Sequence, residues 1–542
     1  MYKYIFILLL LSCNKSNDLI KLDNNTYDSK MNYTPFWIFG HHVWEDNKNN
    51  TEAVDYIVYN YNKYSINMSS IIFDSPWANS YNDFIIDTSR YNDYKVLFKK
   101  LQTLNIKKIF WLTGFQNINS YDALISKSTL YNFFSNNLFY VNNGNNYKWW
   151  KGEGAHVDFY NYRASLNFTN LLNNFEYADG WKLDEGYSYL PSKLKIFTND
   201  SVNNINFGNK FYSEITKSQF FKKRITLGRA YSSQGFDPRL HSLPDNVSIA
   251  WCGDHRGDNQ GISEQLNDIY KSISYGHNLL CWEIGGYNFP APKKNDLINS
   301  VKIGSLLPIM SNGGRNGGLT NHLPWFHDNE TTLIYKKFVD LHYNLMPFFY
   351  SETINYGKKN LLNNNILSDN SYYIAKTIVV FNNFNSENTF KCNFDTNFFW
   401  INILNDDIIN SSSINFKSDL YNISAYIKSG SIIPFYNFYN NKDTISFKIY
   451  PYSRNAKEFI LPLNYEDKNC KVSVDYNTIN GFINVSSNCN KILKIKIKSK
   501  LEPKFSQNLT NWSYDHNSKW ITIISKSNNF STKIDNLKNY YE

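Results

Sequence analysis

The feature that most constrains the fold is an alternation of short apolar runs with longer stretches of helical character, which extends from residue 34 to about residue 350. Parallel strands need long crossover connections, so this alternation favours a parallel sheet with helices between its strands. Eight strands are predicted, at 37–43, 70–73, 108–112, 181–183, 225–227, 248–251, 279–282 and 305–309. Eight such units in roughly three hundred residues predict an α/β fold, a (β/α)8 TIM barrel with insertions over 34–350.

The sequence pattern changes after residue 350. Asn and Ser clusters separate short apolar runs at 373–381, 398–404, 431–435 and 492–497, and no long helical pattern lies between them. Short strands bounded by turn residues are typical of antiparallel β-sandwiches. We therefore expect a proximal sandwich over 351–437 and a distal one over 438–542.

The amino terminus resembles a bacterial lipoprotein signal. Lys3 precedes an apolar run at 5–11, which is too short to span a membrane, and Leu-Leu-Ser-Cys follows with its cysteine at Cys13. The alternative is an ordinary buried apolar segment. The first interpretation predicts a signal over 1–13, lipidation of Cys13, a polar tether over 14–33, and attachment to the membrane of the cell envelope.

The distribution of charge and the cysteine content indicate which classes of ligand the protein could bind. The formal net charge is +9 and the pI about 8.8, but Lys and Arg are scattered and no helix-turn-helix or zinc-finger spacing is present, which argues against nucleic-acid binding. Cys470 and Cys489 lie close enough to form a disulfide in an oxidising compartment. The sequence contains no Cys-x-x-Cys motif and no His/Cys cluster, so it predicts no metal site.

Charged residues follow several of the predicted barrel strands, at the end where TIM-barrel enzymes carry their catalytic side chains. They are Asp74, Asp184, Arg229, Asp254 and Glu283. A single Asp after a strand is often only a helix N-cap. Acids after four strands and an arginine after a fifth favour a functional site.

This set suits the cleavage of a glycosidic bond, which needs one carboxylate on the anomeric carbon and one carboxylic acid on the leaving oxygen. Asp184 and Asp254 follow strands four and six, so both could face one sugar. Arg229, on the strand between them, could hold a hydroxyl or keep a carboxylate ionised. Trp150 and Trp251 could offer flat faces to a sugar ring, although a single Trp is more often a core residue.

At these residues the sequence resembles glycoside hydrolase family 31. The stretches that carry the resemblance are Ile-Ile-Phe-Asp-Ser-Pro-Trp from 71, Trp-Trp-Lys-Gly-Glu-Gly from 149, Asp-Gly-Trp-Lys-Leu-Asp at 179–184, Ala-Trp-Cys-Gly-Asp at 250–254, Trp-Glu-Ile-Gly-Gly-Tyr at 282–287, Met-Ser-Asn-Gly-Gly at 310–314 with His-Leu-Pro-Trp at 322–325, and Ile-Lys-Ser-Gly-Ser-Ile-Ile-Pro at 427–434.

The resemblance implies an exo-acting, retaining α-glycosidase that needs no metal or organic cofactor. Asp184 would be the nucleophile and Asp254 the general acid and base. Asp74, Arg229 and His322 would bind sugar hydroxyls.

Two departures from the family pattern bear on which sugar the protein would accept. Glu283 replaces the usual Asp at a substrate-facing position, and Lys182 stands where many α-glucosidases have an apolar residue. Lys at this place is more like members that act on galactose- or xylose-type sugars, and glucose stays open. The usual N-terminal β-sandwich is expected to be missing, because only about twenty residues separate Cys13 from the first strand.

Two alternatives remain. The first is a catalytically inactive, surface-tethered carbohydrate-binding protein. The second is an α-transglycosylase, in which a sugar rather than water accepts the glycosyl group.

Overall fold

The computed structural model describes residues 34–46, 48–184, 187–234, 238–314, 322–365, 370–382, 389–440, 442–463, 468–506 and 509–537. The signal over 1–13, with Cys13, and the tether over 14–33 lie outside these residues. The first part of the described chain is the expected barrel. Its parallel strands are β1 (His41–Glu45), β2 (Ser70–Phe73), β3 (Lys107–Leu112), β4 (Gly180–Leu183), β5 (Ile225–Arg229), β6 (Ile249–Trp251), β7 (Leu280–Cys281 and Glu283–Ile284) and β8 (Met310–Asn312).

The barrel closes through β7, which is interrupted at Trp282. Its first half pairs with β6 and its second half pairs with β8, while β8 pairs with β1. The sheet order is therefore β1 to β8 in sequence, with every pair parallel. The strands are buried on both faces, and their residues are accordingly apolar over most of their length.

Two of the predicted strands were wrong in position. The run at 37–43 begins as a 3-10 helix, Phe36–Phe39, and the strand starts only at His41. The run at 305–309 follows the end of a helix and contains Pro308, and the strand starts after it at Met310. A short buried apolar run does not by itself distinguish a strand from a helical turn.

Eight α-helices are described: α1 (Thr51–Lys63), α2 (Tyr94–Thr103), α3 (Tyr131–Asn136), α4 (Tyr162–Asn174), α5 (Asn204–Phe220), α6 (Asn259–Ser274), α7 (Lys294–Gly304) and α8 (Asn329–Tyr356). Five begin at an Asn or Asp whose side chain accepts a hydrogen bond from the first-turn backbone, namely at Asn50, Asn161, Asn203, Asp258 and Asp328. None of the helices in the described part of the chain is long and apolar enough to cross a membrane.

Insertions extend the barrel at the carboxyl ends of its strands. The largest lies between β3 and β4 and contains a three-stranded antiparallel sheet. Smaller hairpins follow β4 and β5. The inserted strands are Phe115–Ser120, Tyr147–Trp149, Gly152–His156, Lys193–Lys195, Ser201–Asn203, Tyr231–Ser232 and Arg239–Leu240.

The rest of the described chain is almost entirely antiparallel β-structure. The strands are β9 (Leu362–Asn364), β10 (Ser371–Ile374), β11 (Ile378–Phe381), β12 (Thr389–Asn393), β13 (Trp400–Asn402), β14 (Ile408–Ile409), β15 (Ser413–Lys417), β16 (Ala425–Lys428), β17 (Ile432–Pro434), β18 (Thr444–Ile449), β19 (Arg454–Pro462), β20 (Asn469–Asn477), β21 (Phe482–Ser487), β22 (Ile492–Lys498), β23 (Trp512–Asp515), β24 (Trp520–Ser525) and β25 (Asn529–Lys533).

These strands form two pairs of sheets. A six-stranded sheet, β9-β10-β11-β16-β13-β14, accompanies the two-stranded sheet β12-β15. A five-stranded sheet, β17-β18-β22-β24-β23, packs with the four-stranded sheet β19-β20-β21-β25. The fold is thus a TIM barrel followed by C-terminal β-domains, as the sequence predicts.

Cys470 and Cys489 form a disulfide, with 5.6 Å between their Cα atoms. The bond joins β20 to the segment that precedes β22. Cys252, Cys281 and Cys392 are free and buried.

Candidate active site

Strand β4 places two charged side chains inside the mouth of the barrel. Side chains alternate along a strand, so Lys182 and Asp184 share one face while Trp181 and Leu183 share the other. Trp181 points outward and donates a hydrogen bond to Gln219 of α5 at 3.1 Å. The backbone N–H of Asp184 donates to Leu112 of β3 at 2.9 Å, which continues the sheet ladder one residue past the end of β4 and helps to fix the position of the carboxylate.

Arg229, the last residue of β5, joins the two predicted catalytic aspartates. One guanidinium nitrogen donates to Asp184 at 3.1 Å and to Asp254 at 3.0 Å. The two accepting oxygens therefore lie within about 6 Å of each other. Trp111 of β3 also donates to the second oxygen of Asp184, at 3.3 Å. Both carboxylates face one guanidinium in the same small volume.

The two aspartates differ in their access to solvent. The side chain of Asp184 is 10% exposed and that of Asp254 is 30% exposed. A nucleophile needs a fixed position, whereas an acid that protonates a leaving group and then activates water needs an open side. The difference in exposure matches the two predicted roles.

The loop that carries Asp254 is held by the loop after β7. The amide of Asn288 donates to the backbone oxygen of Asp254 at 2.6 Å, and the backbone oxygen of His255 accepts from both Tyr287 and Asn288. His255 in turn contacts Asp268 of α6 at 2.8 Å. A Cβ atom on Gly286, which has a φ of +71°, would lie 2.5 Å from the backbone of the Asp254 loop, so only glycine allows this close approach.

Lys182 and Asp74 form a buried ion pair beside the catalytic residues. The ammonium lies 2.8 Å from the Asp74 carboxylate, 3.7 Å from the ring centre of Trp44 and 5.3 Å from that of Trp251. Burial raises the pKa of Asp74 to about 6, and the nearby ammonium opposes that rise. Burial alone would lower the pKa of Lys182, but the carboxylates of Asp74, Glu283 and Asp184 outweigh it and raise this pKa. At neutral pH both partners are charged.

Replacing Lys182 with methionine should destabilise the barrel by about 3–5 kcal/mol, because Asp74 loses its cation and must either bury an unpaired charge or take up a proton. The double variant Lys182→Met/Asp74→Asn should lose less than the sum of the two single variants. Urea denaturation followed by tryptophan fluorescence measures the effect. Lys107→Met, which removes a surface ion pair with Asp179, is the matched control and should change stability by less than about 1 kcal/mol. Additive losses in the double variant would contradict the buried pair.

Glu283 is buried at the centre of the same group of charges. It is 2% exposed, and its Oε2 has no hydrogen-bond partner among the described residues. Burial raises the pKa of Glu283 well above its usual range, and Asp254 raises it further, although Lys182 and Arg229 act in the opposite direction. This shift favours the protonated carboxyl group, the form that can donate a hydrogen bond.

Glu283→Gln should keep the activity within about tenfold of wild type, since the amide has the shape of the protonated carboxyl group that burial favours. It should also change the pH dependence of stability. The folded pKa lies above the unfolded one, so the wild-type protein loses stability as pH rises above about 4.5, with a slope of at most about 1.4 kcal/mol per pH unit. Glutamine removes this loss.

The measurement is thermal unfolding of both proteins between pH 4 and pH 8, and the variant should gain relative to wild type as the pH rises. The exposed Glu176→Gln is the control and should show no such gain. Equal pH profiles for wild type and Glu283→Gln would contradict a raised pKa of Glu283 in the folded protein.

The remaining predicted residues lie around this group. Trp251 is buried with Arg229 at 5.0 Å from its ring centre. Trp150 is half-buried and lies edge-on to Trp111 with ring centres 6.3 Å apart. His322 lies 3.4 Å from Glu45, and burial lowers its pKa to about 4, so the ring is neutral. The structure thus brings all nine predicted site residues to one end of the barrel.

Several neighbours of the site were missed by the sequence interpretation. Trp44 packs on Lys182 and stacks on Tyr287, with ring centres 5.5 Å apart. Tyr287 donates to Asp46 at 2.6 Å. Trp111 reaches Asp184. The signal was present as Trp-Glu-Asp at 44–46, but the misplaced first strand ended at residue 43 and left these residues in a loop.

This fold and a pair of aspartates at the carboxyl ends of barrel strands define a class of protein, the TIM-barrel glycoside hydrolases. Residues 31–352 match the model of the glycosyl hydrolase family 31 TIM-barrel domain. The chain therefore belongs to glycosyl hydrolase family 31.

Solved structures of the family are similar over nearly the whole chain. A family 31 dextranase of Flavobacterium johnsoniae, complexed with glucose, has a TM-score of 0.79 at 16% identity, covering 93% of this chain and 71% of the dextranase. The cycloalternan-forming enzyme of Listeria monocytogenes, in complex with a pentasaccharide substrate, has a TM-score of 0.80 at 14% identity, covering 93% of this chain and 55% of the enzyme.

Among curated proteins, the myogenesis-regulating glycosidase of Mus musculus is 21% identical over 301 residues. The match covers 52% of this chain and 39% of the mouse protein. The chain thus matches about two fifths of the length of this relative.

Proposed function

We propose that this protein is an exo-acting, retaining α-glycoside hydrolase for α-linked oligosaccharides. The observation that carries the proposal is the shared guanidinium of Arg229, which holds Asp184 and Asp254 with their nearer oxygens within about 6 Å. Carboxyl groups of retaining glycosidases are about 5–5.5 Å apart, whereas inverting enzymes need about 6.5–9.5 Å to admit a water molecule between acid and base.

In the first step, an Asp184 oxygen forms a bond to the anomeric carbon while the bond to the glycosidic oxygen breaks. Asp254 gives its proton to that oxygen, so the aglycone leaves as a neutral alcohol. The product is a glycosyl ester of Asp184. Arg229 and Trp111 hold the carboxylate in place as its charge falls.

In the second step, Asp254 takes a proton from water, and the water oxygen attacks the anomeric carbon. The ester bond breaks and Asp184 recovers its charge. Two displacements return the original anomeric configuration. The carboxyl groups supply both the nucleophile and the proton transfers.

The sugar is proposed to be galacto-, xylo- or gluco-configured. Lys182 and Asp74 present an ammonium and a carboxylate side by side in the mouth, where one donor and one acceptor could bind neighbouring hydroxyls. The similar dextranase is complexed with glucose and the similar cycloalternan-forming enzyme with a pentasaccharide. These complexes favour an α-linked oligosaccharide as the substrate class.

The direct test is a panel of aryl α-glycosides with gluco, galacto and xylo configuration, each compared with its β-anomer. Wild type should release the phenol from at least one α-anomer and from no β-anomer, and Asp184→Asn should release none. Equal inertness of wild type and Asp184→Asn toward every α-anomer would overturn the hydrolase proposal. Sugar binding without turnover would then favour the surface carbohydrate-binding alternative.

Transglycosylation is a second candidate, favoured by the similarity to a cycloalternan-forming enzyme. The same two aspartates would act, with a sugar hydroxyl in the place of water. Product analysis at high substrate concentration separates the two reactions. Longer oligosaccharides would indicate transfer, and monosaccharide release alone would indicate hydrolysis.

The proposed location is the cell envelope, with Cys13 carrying a lipid anchor. The disulfide between Cys470 and Cys489 supports an oxidising compartment, because disulfides are rare in reducing cytosol. Metabolic labelling with a radioactive fatty acid tests the anchor, and Cys13→Ala should abolish the label.

A further inference from the structure

A group of lysines lies on one face of the five-stranded sheet of the distal domain, apart from the candidate active site. Strand β22 reads Ile-Leu-Lys-Ile-Lys-Ile-Lys, and the side-chain alternation sends its lysines to one face and its apolar residues to the other. The parallel pairing of β18 with β22 then sets Lys448 directly beside Lys496. Like charges on neighbouring strands are unfavourable.

Three of these lysines form no ion pair among the described residues, although the carboxylates of Asp406 and Asp515 lie near enough to act on their charges. Lys448, Lys494 and Lys496 make no hydrogen bond or ion pair with any residue that the structure describes, although all three are half-buried. Lys498 is different, because it binds Asp406 at 2.8 Å. Asp406 also accepts a hydrogen bond from Trp520 at 2.9 Å.

Two aromatic rings lie beside two of the ammonium groups. Lys448 lies 3.9 Å from the ring centre of Phe435 and 5.7 Å from that of Trp520, and Lys496 lies 5.5 Å from the same Trp520 ring. We call Lys448, Lys494 and Lys496, with Phe435 and Trp520, the lysine recess. The hydroxyl-bearing Ser446 and Thr522 lie next to Lys494 and Lys496 on the neighbouring strands.

The environment makes the positive charges costly. Burial lowers the pKa of Lys448 to about 8; the carboxylate of Asp406 opposes this shift, and repulsion from Lys496 and Lys498 adds to it. Burial also lowers the pKa of Lys496, and Lys494 lowers it further, while Asp406 and Asp515 act in the opposite direction. An anion in the recess would relieve this repulsion and stabilise all three charged forms.

The alternative to ligand binding is a structural role, in which these lysine side chains only cover the Trp520 ring. A cation over an aromatic face contributes about 0.5–1 kcal/mol at exposed sites, and aliphatic stems alone would cover the ring. That role needs neither three unpaired ammonium groups nor their placement beside one another. The four ammonium groups of Lys448, Lys494, Lys496 and Lys498 outnumber the two carboxylates of Asp406 and Asp515, so charge complementarity indicates an anionic ligand.

We propose that the lysine recess binds the acidic groups of a charged polysaccharide. Half-buried ammonium groups beside aromatic rings favour a carboxylate or sulfate on a narrow, flexible chain. A flat anionic membrane surface instead favours fully exposed basic side chains. The recess would hold a polymer near the barrel without taking part in the reaction.

The experiment measures binding of polygalacturonate to the full chain by isothermal titration calorimetry at low and high salt, with neutral dextran as the uncharged comparison. The variant is Lys448→Met/Lys496→Met, which keeps the aliphatic stems over Trp520 and removes the two charges. Lys99→Met/Lys222→Met, on the exposed barrel surface, is the control with the same change in net charge.

Wild type and control should bind polygalacturonate equally, more weakly at high salt, and the recess variant should bind about tenfold or more weakly. If the recess variant and the control bound polygalacturonate equally more weakly than wild type, overall charge would explain the effect and the proposal would be overturned. Unchanged binding by the recess variant would also overturn it. Binding to vesicles of phosphatidylglycerol but not to polygalacturonate would also overturn it and indicate a membrane surface.

A loss of thermal stability in the recess variant, with polymer binding unchanged, would assign the lysines to packing on Trp520. This inference does not depend on the proposed hydrolase activity. Hydrolysis of aryl α-glycosides should be the same in wild type and the recess variant, so the two proposals succeed or fail separately.

Discussion

Asp184→Gly is expected to lower kcat/KM for the best aryl α-glycoside by about 10⁴-fold or more, the scale on which enzymes lose activity when their nucleophile is removed. The reason is that no other described carboxylate is held at the same place: Arg229 and Trp111 both bind Asp184, at 3.1 Å and 3.3 Å. Asp254 alone can still donate a proton, but nothing displaces the aglycone.

Azide should restore part of this activity and change the product. The glycine leaves space on the face of the sugar opposite the aglycone, and azide can attack from there. A single displacement inverts the anomeric centre, so an α-glycoside should yield the β-glycosyl azide. Nuclear magnetic resonance of the product distinguishes the anomers.

Asp179→Asn is the matched control, because Asp179 lies next to the amino end of the same strand and pairs with surface lysines. It should keep wild-type activity and give no glycosyl azide. Full activity in Asp184→Gly, or rescue with formation of the α-anomer, would remove Asp184 from the role of nucleophile. Equal melting temperatures of the three proteins show that folding is not the cause.

A site residue can be predicted from the sequence when the local pattern of its own strand reveals it. It cannot be predicted when its place depends on pairing with a strand far away in the chain. Asp184, Arg229 and Asp254 follow from the ends of three consecutive strands, whereas Lys182 entered the predicted site through the resemblance to the family. Each strand is short and largely apolar, and a charged residue stands at its carboxyl end or just after it. In a parallel barrel all these ends meet, so local patterns were sufficient.

The errors have a different origin. The apolar run before His41 is equally compatible with a strand and with a helical turn, and only its packing inside the barrel determines which one forms. Pro308 cannot donate a ladder hydrogen bond, which delays β8 to Met310. Glu45 and Trp44 were lost from the site with the first of these errors.

The lysine recess could not be predicted because its charges come from strands that are far apart in the chain. The Lys-Ile-Lys-Ile-Lys pattern in β22 is visible in the sequence, but Lys448 joins it only through the register of β18 against β22. Scattered lysines therefore became one group on folding. Register between distant strands is set by the packing of their buried faces.

Asp254→Ala is expected to slow cleavage in proportion to how much the leaving group needs a proton. A natural oligosaccharide, whose alcohol leaves poorly, should lose about 10²–10⁴-fold in kcat/KM. A dinitrophenyl α-glycoside needs little protonation, so its first step should be nearly unaffected, and the ester on Asp184 should accumulate. A burst of phenol followed by slow turnover is the expected time course.

Azide should accelerate this variant as well, with the opposite product from Asp184→Gly. Azide needs no general base, and it attacks the ester on Asp184 from the face that the aglycone has left. Two displacements then yield the α-glycosyl azide. Asp258→Ala, in the same loop at the N-cap of α6, is the control and should give neither burst nor azide product.

The pair of variants tests the geometry as a whole. If Asp184 and Asp254 lie on opposite faces of the anomeric carbon, the two azide products must be of opposite configuration. Identical anomers from both variants would place the aspartates on one face, and a loss in Asp254→Ala that is independent of the leaving group would exclude proton donation. Opposite anomers, together with the burst, would fix Asp184 as nucleophile and Asp254 as acid and base.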